Sequence, residues 1–239
     1  MSHARAGTTA TMIIAIDGPA AAGKSTVARA VAEELGLGVL DTGAMYRAVT
    51  LAVLRRKADP RDANACGEIA RNVKLAFGRD GKLTLDGEPA EPRIRSVEVT
   101  QTVSQVSAHP GVRAAIVPLQ RDEAKRRGGI VAEGRDIGSV VFPDAEFKFF
   151  LAASPEVRAR RRAEEEHALE RLPEILSDMK RRDRLDSTRA DSPLVRARDA
   201  ILVDTDALDA RAVAAKILAH VRSAPGSAPR GAPSAEPRA

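Results

Sequence analysis

The chain has 239 residues, which is enough for one α/β domain with a buried core and a small insertion. Aromatic residues make up only 3% of the chain and tryptophan is absent, so the core must be mainly aliphatic. The formal net charge of +5 suits an anionic ligand, either a small molecule or nucleic acid.

Several features bear on the cellular compartment. No apolar run reaches the ~18 residues that a membrane-spanning helix requires. Residues 1–11 lack the apolar segment of a secretory signal, and we expect a flexible leader there. The single cysteine, Cys66, cannot form an internal disulfide, which is typical of a reducing compartment. These features predict a cytoplasmic protein without a membrane span.

The first informative segment lies between a predicted strand and a predicted helix. The apolar run at 12–16 indicates a buried strand, and Val27, Val31 and Leu35 recur at helical spacing after it. Between them stands the spacing G-x-x-x-x-G-K-[ST] of a phosphate-binding P-loop, whose backbone N–H groups and helix dipole bind phosphate oxygens. The candidate ATP-binding residues are Gly18, Pro19, Ala20, Ala21, Ala22, Gly23, Lys24, Ser25 and Thr26.

Two side chains of this loop have chemical roles in the motif. Lys24 is expected to reach the β- and γ-phosphates, and the Ser25 hydroxyl to bind Mg²⁺, mostly through water and phosphates. The alternative is a strand-to-helix turn rich in glycine and alanine that binds nothing. The strand before the motif and the helix after it favour the P-loop.

Most of the remaining chain alternates between strands and helices. Strands are predicted at 37–40, 130–132, 147–151 and 200–203, and helices at 44–56, 63–72, 97–107, 112–127, 154–166, 173–184 and 208–221. At 73–85 the pattern changes to apolar–polar alternation across Asp80-Gly81, which indicates a β-hairpin. We therefore predict an α/β fold with a three-layer core around a parallel sheet and a small antiparallel insertion. Residues 223–239 are rich in proline, alanine and serine, which predicts a disordered tail.

Polar residues follow two of the predicted strands, at the end where ligands bind in an open parallel sheet. Asp41, Thr42 and Arg47 follow the strand at 37–40, and Arg135-Asp136 stand between two glycines after the strand at 130–132. Taken alone, a helix-capping turn or a salt-bridged turn would also explain them.

The arginines suggest what the second ligand is. Bringing Arg47, Arg113, Arg135 and Arg189 together would be costly unless they share an anion, and a phosphate monoester matches the guanidinium fork. The implied reaction is phosphoryl transfer from a nucleoside triphosphate to a phosphorylated acceptor. The further arginines at 158–162 form either a solvated helix face with i,i+4 ion pairs or a mobile segment over the phosphates.

Together these motifs resemble the bacterial cytidylate kinases, which belong to the nucleoside monophosphate (NMP) kinase group of P-loop kinases. The resemblance covers about residues 13–221. Its most specific parts are D-T-G-A-M-Y-R at 41–47 and G-R-D-I-G at 134–138, in this order. One departure lies inside the P-loop, where Ala20-Ala21-Ala22 stands in place of a segment that usually contains another glycine or serine.

The resemblance implies a kinase of pyrimidine metabolism that transfers the γ-phosphoryl group of ATP directly to CMP or dCMP, with Mg²⁺. It implies a kinase core at 12–59 and 111–222, an NMP-binding insertion at 60–110, and a helical lid at about 155–190. It also implies a monomer in the cytoplasm that binds neither nucleic acid nor membrane.

The resemblance also implies residue roles. Ser104, Arg113 and Asp136 are expected to read cytosine, Asp186 to contact the sugar, and the other arginines of the site to hold the phosphate. The full set of implied CMP-binding residues is Thr42, Arg47, Ser104, Arg113, Arg135, Asp136, Asp186 and Arg189. The implied catalytic residues are Lys24, Arg135, Arg189, Arg158 and Arg162, and Arg161 is a further implied lid arginine.

Two other functions are compatible with parts of the sequence. One is a P-loop kinase for a different small molecule, such as another monophosphate or shikimate, but the cytosine-side residues argue against it. The other is a nucleotide-dependent switch or an RNA-binding module. The chain lacks the N-K-x-D motif of GTPases, and it has too few aromatic residues to stack bases.

Overall fold

A computed structural model describes residues 12–78 and 81–224. The leader predicted at 1–11, residues 225–239 of the predicted tail and Asp80 of the predicted hairpin turn lie outside this range. In chain order the strands are β1 (Met12–Asp17), β2 (Gly38–Asp41), β3 (Leu75–Phe77), β4 (Leu83–Leu85), β5 (Glu88–Pro89), β6 (Gly129–Gly134), β7 (Phe147–Ala152) and β8 (Ile201–Asp204).

The described α-helices are α1 (Lys24–Leu35), α2 (Thr42–Arg55), α3 (Ala63–Asn72), α4 (Val97–Val106), α5 (Pro110–Arg127), α6 (Pro155–Glu165), α7 (Leu172–Thr188) and α8 (Ala210–Ser223). Short 3-10 turns stand at Arg93–Arg95 and Leu169–Arg171, and a π-helical segment at Ile137–Val141. None of the helices in the described part of the chain combines the length and the apolar composition that crossing a membrane requires.

The core is a five-stranded parallel sheet in the order β2-β6-β1-β7-β8. Successive residues of β1 point to opposite faces, so Ala15 packs with α2 and α5 while Ile14 and Ile16 pack with α1 and α8. Every residue of β6 is buried, as expected for a strand that is covered by helices on both sides. The predicted three-layer α/β core is confirmed.

The predicted antiparallel piece is also present. β3 pairs with β4 in the register Leu75↔Leu85 and Phe77↔Leu83, and β5 adds a third strand to this small sheet. Val73, which was predicted to begin the first strand, instead follows the last turn of α3. β5 is two residues long and contains a proline, so the sequence carried too short a pattern to predict it.

Two helix boundaries differ from the prediction in a way that affects the site. α2 begins at Thr42, because the Asp41 carboxylate caps it by accepting from the Ala44 N–H at 2.9 Å. α7 continues to Thr188, past the predicted end at 184. Asp186 therefore lies on a helix and not in the polar loop expected after it.

Candidate active site

A cleft of about 530 Å³ opens at the carboxyl ends of β1, β2 and β6. Its walls come from the P-loop, the first turns of α2, helix α4, the turn after β6, and α7. All the predicted CMP-binding residues line it, namely Thr42, Arg47, Ser104, Arg113, Arg135, Asp136, Asp186 and Arg189. The fold thus brings together residues from distant parts of the chain, at the sheet edge where ligands bind in this architecture.

The P-loop needs glycine at its first position. Gly18 has a φ of +149°, and a Cβ there would lie 2.3 Å from the carbonyl oxygen of Leu151 on the neighbouring strand. Gly23, with a φ of +88°, directly precedes α1, so the loop leads into the positive end of that helix. Ala21 is also left-handed, with a φ of 56°, although it carries a side chain.

We expect the Ala21→Gly variant to be more stable than the wild type by about 1 kcal/mol, because a left-handed conformation is strained for any residue with a Cβ. Ala22→Gly is the matched control. Ala22 is 1% exposed and does not have a positive φ, so glycine there should cost about 1 kcal/mol. Denaturant unfolding of the variants measures both differences. An Ala21→Gly protein that is less stable than the wild type would contradict the strain.

Three cations hold three consecutive carbonyl groups of the P-loop. Arg135 Nη1 donates to Gly18 O at 3.1 Å, Lys24 Nζ to Pro19 O at 2.7 Å, and Arg158 Nη1 to Ala20 O at 3.2 Å. These bonds fix the backbone of the loop from outside. Burial, and then the nearby Arg135, lower the pKa of Lys24 to about 7. A polyphosphate beside Lys24 would favour its charged form.

Asp136 lies between two arginines at the far end of the cleft. Arg113 Nη2 donates to Asp136 Oδ2, and Arg189 Nη2 donates to Oδ1 at 3.3 Å. Burial nevertheless raises the pKa of Asp136, against the effect of both arginines. The Arg113 guanidinium lies 5.3 Å from the centre of the Tyr46 ring, and this cation–π contact helps to hold the guanidinium in place.

The middle of the cleft is rich in arginine. Arg135 Nε donates to Asp186 Oδ2 at 2.9 Å, and Arg47 Nη1 donates to Thr100 Oγ1 at 2.8 Å. Burial and the nearby Arg182 and Arg95 lower the pKa of Arg47 to about 9. An anion relieves such mutual repulsion among neighbouring guanidinium groups, so this part of the cleft is suited to a phosphate.

Arg182 belongs to this group but was not among the predicted site residues. It lines the cleft, and its Nε has no hydrogen-bond partner among the described residues. Burial, and then Arg135, lower the pKa of Arg182 to about 10. One signal in the sequence could have found it: Arg182 stands four residues before Asp186, and this spacing places both on one face of a helix.

A family model described as cytidylate kinase matches residues 14–223. This chain belongs to the cytidylate kinase family. A cytidylate kinase from Mycobacterium leprae is 51% identical to it over 213 residues, covering 88% of this chain and 93% of the relative. One from Solibacter usitatus is 45% identical over 217 residues, covering 89% and 93%. Among solved structures, a shikimate kinase from Acinetobacter baumannii has a TM-score of 0.43 at 19% identity, covering 90% of this chain and 95% of that chain.

The three arginines that resemble the lid residues of cytidylate kinases occupy different places. Arg158 is buried against the P-loop and also donates to Asp183 at 2.7 Å. Arg161 donates to Thr205 and to the carbonyl of Leu208, and it does not line the main cleft. Arg162 lines the cleft and pairs with Glu166 at 2.6 Å. Of the three, only Arg162 has a guanidinium in the main cleft, and the catalytic roles of Arg158 and Arg162 stay predictions.

A buried carboxylate beside the P-loop was missed by the sequence reasoning. Glu133, the penultimate residue of β6, is 4% exposed, and burial raises its pKa, as does the neighbouring Asp41. The nearby Ser25 side chain counteracts this and lowers the pKa. A carboxylate and a hydroxyl are oxygen ligands of the kind that Mg²⁺ accepts, together with water and phosphate. The described residues contain no group of three or more His, Cys, Asp or Glu side chains arranged for a metal.

Proposed function

We propose that this member of the cytidylate kinase family transfers the γ-phosphoryl group of ATP to CMP or dCMP, giving ADP and CDP or dCDP. The observation that carries the proposal is the convergence of an arginine-rich pocket and a P-loop in one cleft. A polyphosphate donor and a monophosphate acceptor fit these two parts. The reaction then needs positioning and charge neutralisation more than covalent chemistry from the protein.

Different residues along the cleft bind the two nucleotides. Backbone N–H groups within 18–26, except at Pro19, bind the ATP phosphates, and Lys24 neutralises charge on the group that is transferred. Arg47, Arg135 and Arg189, with Arg182 beside them, hold the acceptor phosphate in line with the γ-phosphorus, so that transfer needs no phosphoenzyme.

Mg²⁺ would be held by Ser25 and Glu133, largely through water, and would neutralise charge on the phosphates when bound. Ser25 and Glu133 fit this role because both line the cleft and both carry oxygen ligands.

Base selection follows from the charge of Asp136. Its carboxylate can only accept hydrogen bonds while it is ionised, and cytosine presents an amino group that donates. Uracil presents a carbonyl oxygen at the same place, which would leave two acceptors facing each other in a buried site. Arg113 keeps the carboxylate charged and oriented, and Ser104 supplies a further polar contact. The family assignment supports the same acceptor class.

A substrate panel tests the proposal. ADP release from ATP with Mg²⁺ should be fast with CMP and dCMP and much slower with UMP, AMP and GMP. The expected discrimination against UMP is at least ~100-fold in kcat/KM, because the wrong base leaves a buried polar group unpaired. A preference for UMP or AMP over CMP would refute the cytosine site, whereas ATP binding without turnover of any monophosphate would refute the acceptor.

The division of the chain also stays a proposal. We propose that residues 60–110 form the NMP-binding insertion, that about 155–190 form the lid, and that the protein acts as a monomer on small nucleotides without nucleic acid. Light scattering after gel filtration tests the monomer. A compartment that keeps Cys66 reduced is compatible with its free thiol.

A further inference from the structure

Asp17 is a buried carboxylate that the proposed reaction does not use. It is the last residue of β1 and stands directly before Gly18, and it is 3% exposed. Its Oδ1 accepts from the Ile137 N–H at 2.7 Å, and its Oδ2 accepts from the Gly138 N–H at 2.8 Å. Both oxygens are therefore engaged with the backbone of one distant segment.

That segment continues from the acceptor side of the cleft. Residues 134–138, called the acceptor turn below, contain Arg135 and Asp136 and include the first two residues of the π-helical segment Ile137–Val141. The acceptor turn also binds back to the P-loop, since Arg135 donates to Gly18 O at 3.1 Å. The P-loop and the acceptor turn are thus joined by two sets of bonds. The Asp17 carboxylate, directly before the P-loop, binds the acceptor turn, and the Arg135 guanidinium of the acceptor turn binds the P-loop.

The rest of the π-helical segment is held as tightly. Arg121 of α5 donates to Val140 O at 2.9 Å and to Val141 O at 2.8 Å. A Cβ on Gly138 would lie 3.1 Å from Lys148 Cδ and 3.4 Å from Asp17 Oδ2. The segment has little room to shift, and its unusual helical form is stabilised by side chains from two other elements, Asp17 of β1 and Arg121 of α5.

We propose that Asp17 is a positioning residue that sets the register between the ATP-binding loop and the acceptor turn, and so fixes how the acceptor phosphate meets the γ-phosphorus. This inference rests on the proposed function. Loss of this positioning should lower the rate of phosphoryl transfer, because in-line geometry depends on the position of the P-loop relative to the acceptor turn. Binding of either nucleotide alone depends on its own loop.

The test is the Asp17→Asn variant. Asparagine has nearly the same shape, but it offers one acceptor oxygen and places an amide donor against a backbone N–H. Burial raises the pKa of Asp17 to about 6, against the effect of the Gly138 and Ile137 N–H groups, so assays at about pH 8 compare asparagine with a carboxylate. We expect kcat to fall by roughly 10-fold to 100-fold, while KM for ATP and for CMP each stay within about threefold.

The controls separate positioning from stability. The exposed Asp59 also accepts a backbone N–H, from Arg61 at 2.9 Å, so Asp59→Asn makes the same chemical change away from the cleft and should leave kcat unchanged. Rates are taken well below the Tm of each variant and divided by the folded fraction. If Asp17→Asn does not fold, Gly138→Ala takes its place, since its methyl group displaces the same segment while keeping the carboxylate.

The outcomes are distinct. A kcat loss with near-normal KM values in Asp17→Asn, or in Gly138→Ala as its replacement, supports the positioning role. A kcat within about twofold of the wild type, or a loss that disappears after correction for the folded fraction, overturns it. A wild-type enzyme that does not turn over CMP would refute the proposed function, and this inference with it.

Discussion

Lys24→Ala should reduce kcat by more than ~100-fold, which corresponds to a loss of at least ~3 kcal/mol of transition-state stabilisation. The side chain is already in place for this role: it is 7% exposed, and its Nζ donates to Pro19 O at 2.7 Å. It therefore needs little reorganisation when charge builds up on the transferred phosphoryl group. Steady-state kinetics with ATP and CMP measure the loss.

Lys125→Ala is the matched control for that experiment. This variant also replaces a lysine with alanine, but on α5 and away from the cleft. The Lys125 side chain is 77% exposed, and its Nζ lies 3.5 Å from Asp122 Oδ1. The variant should leave kcat and both KM values unchanged. Near-normal turnover by Lys24→Ala would remove Lys24 from the chemistry and leave the P-loop with a structural role alone.

The parallel core was predictable because its strands are short apolar runs between recognisable turn and capping residues. Ser154 and Pro155 begin α6 as their types suggest, with Ser154 Oγ accepting from the Val157 N–H at 3.4 Å. Gly36 ends α1 in the left-handed conformation that is typical of a glycine just after a helix. These are local rules, and each depends on residues only a few positions apart.

The π-helical segment at Ile137–Val141 could not be predicted in the same way. Its five residues carry no apolar period, and the sequence indicated only a turn between glycines. What holds it comes from elsewhere, namely the carboxylate of Asp17 and the guanidinium of Arg121. Their partners are distant in the chain, so no local pattern reveals them.

The cleft was partly predictable. The strand-end rule and the family resemblance found the residues that line it, but neither could say which arginine pairs with which carboxylate. Asp136 binds Arg113, which is 23 residues away, and Arg189, which is 53 residues away. Glu133 was missed although a signal existed, since a carboxylate at the end of a fully buried apolar strand needs a polar partner. Such pairings depend on tertiary packing.

Arg113→Met should lower the free energy of unfolding by about 3–5 kcal/mol, because it leaves the buried Asp136 carboxylate without one of its two arginines. The two side chains are 3% and 5% exposed, so water cannot replace the lost guanidinium. Methionine fills much of the vacated volume, and the loss therefore reflects charge more than a cavity. Urea unfolding at about pH 7.5 measures it.

The loss should shrink at lower pH, and the sign follows from the pKa of Asp136. Burial already raises this pKa in the wild type, and removing Arg113 raises it further. A carboxyl group with a raised folded-state pKa binds a proton more readily in the folded protein, so the variant gains stability as the pH falls towards that pKa. We therefore expect a smaller difference from wild type at about pH 5 than at about pH 7.5.

The double variant Arg113→Met/Asp136→Asn separates charge from packing. If the unpaired carboxylate causes the loss, neutralising it should restore most of the stability, whereas Arg126→Met at the exposed ion pair with Glu123 should cost less than ~1 kcal/mol. A double variant as unstable as Arg113→Met would instead assign the stability to the guanidinium on the Tyr46 ring. CMP turnover should stay low even in a fully stable double variant, because the pair that reads cytosine is gone.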